Sequence, residues 1–197
     1  MSGSSLDGID LAYCIFHIDP FDEKIIPHWK FIAGKTYPYS IDFKLKLKDL
    51  RNGSAMDLAM MNARFGEFSG EKVLEFLKHN PPLHPDMISS HGHTVFHYPS
   101  QSMTFQIGSG ASLAAITGIP AVCDFRQGDV ALGGQGAPLS ILADQRLFPG
   151  HTYYLNLGGI ANISLVQEDH LAAYDLFGFN QVFNGLSKQA GFEMDED

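Results

Sequence analysis

The stretch from Cys123 to Ser140, CDFRQGDVALGGQGAPLS, sets Asp124, Arg126 and Asp129 among four glycines. An arginine's planar fork holds a carboxylate or a phosphate through two parallel hydrogen bonds. Carboxylates accept from hydroxyls, and Gly133, Gly134 and Gly136 let other groups approach bare main chain closely. This is the composition of a site where a polar ligand meets backbone. An internal Arg–Asp pair that stiffens the loop is the plainer alternative, and both can hold together. Two further glycine turns, SGSSLDG and NLGGIAN, stand elsewhere in the chain. In the first, Gly3 and Gly8 bracket Ser4, Ser5 and Asp7. Backbone N–H groups freed by glycine, with hydroxyls beside them, suit phosphate oxygens. An aspartate there repels phosphate but holds Mg²⁺ through water. Gly158 and Gly159 could clamp the far side of a triphosphate, although each turn taken singly also fits an ordinary tight hairpin.

Three histidines, His91, His93 and His97, invite a metal. His91 and His93 would share a strand face, yet no nearby cysteine or suitably spaced carboxylate completes a zinc set. Hydrogen bonding by His91 is the expectation, not structural zinc.

The elements that must position these groups alternate in type. IDLAYCIFHI and IIPHWKFIAG have strand composition, with Pro27 marking an edge or bulge. Asn52 to Ser54 breaks the chain, and Ser54 or Asp57 then caps helical segments through Asn80, interrupted near Gly66 and Gly70. Phe65, Phe68 and Phe76 fall at helical spacing and are expected in the core. HNPPLHPD is a loop, followed by strand-like MISSHGHTVFHYP and SMTFQIG. Ser109 caps a short helix, ASLAAIT, that stops at Gly118. PAVCD reads as a strand, PLSILADQRLF as a helix, and TYYLNLGGIANISLVQ as two strands joined at Gly158–Gly159. HLAAYD is another strand and NQVFNGLSKQAGF a last helix. The sum is an α/β chain with a substantially mixed sheet.

Composition narrows the function classes. The 197 residues are 45% apolar and 18% charged, an ordinary globular balance for one or two domains. A formal charge of -9 argues against a broad phosphate-backbone binder. Cys14 and Cys123 sit among apolar residues and are expected as buried thiols in a reducing compartment. With no signal peptide and no apolar run of 18 residues, a soluble cytoplasmic protein is expected.

The motifs in order, MSGSSLDGID, SHGHTVFH, QIG, TGIPAVCDFRQGDVALGGQGAPL, NLGGIANIS and YD, make the chain similar to the anhydro-N-acetylmuramic acid kinases of the sugar kinase and actin-like ATPase superfamily. The resemblance runs from residue 2 to about 190. It implies the N-terminal lobe of an actin-like (ribonuclease H-like) kinase over 1–190, with 191–197 a tail or the start of a C-terminal lobe largely absent from this chain. It implies ATP and Mg²⁺, a sugar partner, a possible homodimer, and neither nucleic acid nor membrane. The implied reaction adds water across the 1,6-anhydro bridge of the muramyl sugar and phosphorylates O6, as in cell-wall recycling. Carried over by position, nucleotide contacts fall on Gly3, Ser4, Ser5, Leu6, Asp7, Gly8, Ile9, Asp10, Asn156, Gly158 and Gly159. Sugar contacts fall on His91, Asp124, Arg126, Asp129 and Gln135. Asp7 falls to the metal, and Asp175, expected at the end of the AAYD strand, to the general base. Asp175 as a helix cap or simple strand end is the structural alternative.

The chain departs from the family pattern in three places. It opens on the first loop without the preceding strand, it has about half the family's length, and LFGFN follows Tyr174–Asp175 where the family usually has TGPGN or ICPAN. A non-catalytic nucleotide or muropeptide sensor, or an inactive fragment, is the competing class.

Overall fold

The computed structural model describes residues 1–3, 6–17, 28–137, 139–167 and 170–191. Two compact units emerge, one of Met1–Ile15 with Lys30–Gly136 and one of Phe16–Trp29 with Ala137–Asp197. Of the sequence-predicted features, Ser4, Ser5, Pro27 and the tail from 192 lie outside the described residues.

The first unit opens on β1 (Gly8–His17), which pairs with β2 (His28–Pro38). Helix α1 (Ile41–Asp49) follows. The sequence expectation passed over it, although its signals are present: Ser40 accepts from the Phe43 N–H, Asp42 sits in the first turn, and Lys46 and Lys48 in the last. Helix α2 (Ala55–His79) starts at a complete capping box. The Ser54 hydroxyl accepts from the Asp57 N–H, and the Asp57 carboxylate accepts from the Ser54 N–H at 2.9 Å. The Ser54 hydroxyl also holds the Asp57 carboxyl below the usual carboxylate range.

Contrary to expectation, α2 runs unbroken through Gly66 and Gly70. These glycines serve packing. A Cβ on Gly66 would stand 2.5 Å from the Ser109 carbonyl oxygen, and one on Gly70 2.8 Å from the Ile116 Cβ. Both neighbours belong to helix α3 (Gly110–Thr117) or to its cap, Ser109. Asn62 of α2 ties the same junction, its Oδ1 accepting from Gly108 N at 2.8 Å and its carbonyl from Ser109 N at 3.0 Å. As expected, Gly118 ends α3 in the left-handed region, at φ 70°.

Short strands complete the unit. β3 (Ile88–Ser89) pairs in parallel with β6 (Ala121–Val122), and β4 (His93–Tyr98) pairs antiparallel with β5 (Met103–Ile107). Ser2 bridges antiparallel to Ile9 and parallel to His93, linking the β1 and β4 edges. The mixed pairing expected from sequence is therefore present, distributed over small sheets. Beneath them lies a core of Ile9, Tyr37, Tyr39, Leu47, Phe65, Phe76, Val95 and Ile107, with Phe68 packed against it. The aromatic residues interlock, Phe43 and Phe68 at 4.8 Å and Tyr39 and Phe43 at 5.4 Å between ring centroids. Helix α4 (Gln127–Ala131) closes the unit, with Val130 buried.

The second unit contains α5 (Ser140–Leu147), an antiparallel sheet of β7 (Tyr153–Leu157), β8 (Ile160–Gln167) and β9 (His170–Gly178), and α6 (Asn180–Gln189). Trp29 packs edge-on against Phe148 at 5.4 Å and donates its indole N–H to the Leu147 carbonyl at 3.1 Å. No helix among the described residues is long and apolar enough to cross a membrane.

Candidate functional site

In the first unit, the N-terminal turn is held tightly. Leu6 adopts φ 58°, an unusual conformation for a residue with a side chain, and its N–H reaches the Gly3 carbonyl at 3.3 Å. A Cβ on Gly8 would collide with the Tyr37 carbonyl oxygen, so glycine is required where β1 meets β2. Ile9 points into the core, which leaves only its main chain for a ligand. Asp10 accepts from the Thr36 hydroxyl at 2.6 Å. Asp7 is exposed, and its carbonyl accepts from Tyr39 N at 3.1 Å. One exposed carboxylate beside a phosphate-type turn suits Mg²⁺, which keeps most of its waters and takes few protein ligands. Among the described residues no three His, Cys, Asp or Glu side chains gather as a metal cage.

The glycine stretch organises itself around Asp129. Its Oδ2 accepts from Gly136 N at 2.6 Å, and its carbonyl from Gly134 N at 2.8 Å. A Cβ on Gly134 would run into the same carboxylate. Asp129 thus folds the GGQG turn back onto α4, while Gln135 stays exposed. Asp124, at φ 62°, accepts from the Gln127 amide at 3.1 Å and from the Cys123 thiol at 3.3 Å. Cys14, within β1, and Cys123, just after β6, are half-buried free thiols, not the fully buried ones expected. Burial, then the Asp124 carboxylate, pushes the Cys123 thiol up.

His91 precedes β4 and does not lie on it, so the expected strand face shared by His91 and His93 is not formed. Burial holds the His91 imidazole at about 4, well below its ordinary value, and the nearby Arg126 guanidinium adds to this. His93, also held at about 4 by burial and then by Arg51, meets the Ser2 hydroxyl through Nδ1 at 3.0 Å. His97 contacts the Thr104 hydroxyl at 3.0 Å. Both His91 and His93 are therefore neutral at pH 7, hydrogen-bonding groups and not cations.

The second unit carries the arrangement of most chemical interest. Gly158 and Gly159 turn the chain from β7 into β8, as the sequence indicated. The turn carbonyls accept from the start of α6, Gly159 from Phe179 N at 3.0 Å and Gly158 from Asn180 N at 3.2 Å. The LFGFN segment thus completes β9 and braces the glycine turn. Asp175 is not at the strand's end; β9 continues three residues beyond it. Asn156 faces Asn162 across β7–β8, and Asn162 faces Asp175 across β8–β9. Directly opposed residues of antiparallel strands share a sheet face, so the three side chains form one polar row. The register slips between Ala161 and Asn162, leaving Leu176 as an extra residue beside Asp175. Asp175 and Asn156 are exposed, whereas the Asn162 Oδ1 is buried without a hydrogen-bond partner. An orphaned buried acceptor costs about 1–3 kcal/mol. Asn162 escaped the sequence expectation, although a β-hairpin turning at Gly158–Gly159 already places it near-opposite Asn156.

A family model for anhydro-N-acetylmuramic acid kinase matches residues 1–197. The chain belongs to the anhydro-N-acetylmuramic acid kinase family. Among curated relatives bearing that name, the protein of Sulfurimonas denitrificans is 34% identical, with 100% of this chain and 54% of the relative covered. That of Vibrio cholerae is 37% identical over 89% of this chain and 48% of its own length. That of Pseudoalteromonas translucida is 34% identical over 86% and 45%. The chain spans about half the length of these relatives. Its α/β architecture is that expected of an anhydro-N-acetylmuramic acid kinase N-terminal lobe.

Proposed function

We propose that these residues form the N-terminal lobe of an ATP-dependent kinase that opens 1,6-anhydro-N-acetylmuramic acid and phosphorylates its O6, giving N-acetylmuramic acid 6-phosphate for cell-wall recycling in the cytoplasm. The observation that carries the proposal is the row Asn156–Asn162–Asp175, set beside a braced glycine turn in a chain of this family.

Asp175 is the general base. It takes a proton from water while the water oxygen forms a bond to the anomeric carbon and the bond from that carbon to the bridging oxygen breaks. The freed O6 bonds to the γ-phosphorus, and ADP leaves with the electrons of the broken P–O bond. The N-terminal glycine turn and the Gly158–Gly159 turn are, each by itself, of the type that presents backbone to phosphate, which matters because phosphoryl transfer is mostly positioning and charge stabilisation. Asp7 would hold Mg²⁺ through water, and the ion would neutralise charge on the transferring group. Arg126, held beside the neutral His91, engages the sugar's lactyl carboxylate, while His91, Asp124, Asp129 and Gln135 line the sugar's approach with hydrogen-bonding groups. The whole kinase needs the remaining length seen in the relatives, and this half alone is inactive.

The isotope content of the product tests the chemistry. In ¹⁸O-enriched water, the polypeptide that carries this half with the rest of the relatives' length is expected to yield a sugar phosphate with one solvent oxygen at C1. A phosphorylated product that keeps the anhydro bridge, or none, contradicts the proposal.

A further inference from the structure

We propose that Asn162 is a second residue on the reacting water: its amide oxygen holds the hydrogen that Asp175 does not remove. The inference rests on the kinase proposed above. Three observations lead to it. Asn162 Oδ1 is buried with no hydrogen-bond partner, and a turn of its amide about χ2 is what brings that oxygen to a water on Asp175. Asn162 stands directly across from Asp175 on the neighbouring strand, on the same face. The bulge at Leu176 falls immediately beside this pair, and bulges next to active sites re-aim a side chain.

A water molecule has two hydrogens. A carboxylate that binds only one leaves the attacking lone pair free to swing. Two acceptors on adjacent strands hold both hydrogens and direct the lone pair away from the sheet, toward the anomeric carbon. As the oxygen bonds to that carbon and the bond to the bridging oxygen breaks, one proton passes to Asp175. The other stays on the oxygen as the hydrogen of the new hydroxyl and remains donated to Asn162. An amide suits this place better than a second carboxylate. Two carboxylates sharing a site raise the affinity of one for a proton, whereas an amide oxygen accepts without competing for it. A buried acceptor with no partner is costly to keep in the fold, and such costs collect at functional sites.

Asn162→Leu keeps the approximate shape and removes both polar atoms. In the complete polypeptide, sugar-dependent ADP release is expected to fall about 10²-fold in kcat, the scale of a misplaced reactant. Sugar Kd by calorimetry is expected to change less than about threefold, because the lost contact is to water and not to sugar. The thermal midpoint is expected to hold or rise, since the substitution removes an unsatisfied acceptor. Asn162→Ser, which keeps an acceptor, is expected to recover part of the rate. An unchanged kcat in Asn162→Leu beside an active wild type overturns the inference alone, whether or not the midpoint drops. If Leu lowers both midpoint and kcat, the Ser variant decides: folded and faster supports the role, folded and as slow removes it. A wild type without sugar-dependent ADP release removes the kinase and this inference together.

Discussion

Asp175 lies on an exposed stretch of β9, across from the half-buried Asn162 and beside a bulge. Asp175→Asn keeps size and register but cannot take a proton. A general base contributes typically about 10² to 10⁴ in rate, so kcat in the complete polypeptide is expected to fall by that range while calorimetric sugar binding changes little. A near-normal kcat would move the base elsewhere. The buried histidines give a second test at this scale. His91 and His93 are both held at about 4 by burial, against an ordinary 6.5. A depressed histidine contributes stability that is present above the unfolded value and lost as pH falls through the folded one. The 197-residue chain is therefore expected to lose stability between pH 6.5 and 4. His93→Gln should flatten that slope in denaturant titrations; an unchanged slope would place the acid sensitivity elsewhere. That Asp175 lies on a strand was legible in the sequence; that the strand runs on past it was not. The partner of Asp175, Asn162, was not legible either, because register across a third strand depends on a bulge that no local pattern marks.

Helix α2 shows why glycine misleads at the level of elements. In a helix interior glycine costs about 1 kcal/mol relative to alanine, which is why Gly66 and Gly70 seemed to be breaks. They instead let α3 approach, and packing overrides propensity. Gly70→Ala is expected to destabilise the chain by about 1–3 kcal/mol, the usual range for overpacking, because its Cβ would stand 2.8 Å from Ile116 Cβ. Gly128→Ala in α4 meets nothing within 4 Å and is expected to be neutral or stabilising by up to about 1 kcal/mol. Equal effects of the two in urea unfolding would contradict this account. The glycine stretch after α4 behaves similarly. Asp129 holds Gly136 N at 2.6 Å, a tie from carboxylate to backbone that the residue types alone did not announce. Asp129→Ala is expected to speed exchange of the Gly136 amide about tenfold, one charge-assisted hydrogen bond discounted for exposure. Unaltered exchange would free Asp129 from this role. Helix α1 went unseen because its charged, weakly periodic sequence hides a cap that only Ser40 announces.

For the whole molecule, alternating strand and helix composition sufficed for the α/β class, and the ordered glycine turns sufficed for the family. The division into two units was beyond local reasoning, since strands β1 and β2 each contribute residues to both. The chain spans about half the length of its relatives, so the proposed activity belongs to the complete polypeptide. The measurement that bears most directly on the central claim is ADP release by the complete polypeptide with ATP and Mg²⁺, with and without 1,6-anhydro-N-acetylmuramic acid, run beside the 197-residue chain. The expected result is sugar-dependent release from the complete protein and none from the half. Release that is equal without sugar, or absent with it, contradicts the kinase; turnover by the half matching the whole contradicts the division of labour between lobes.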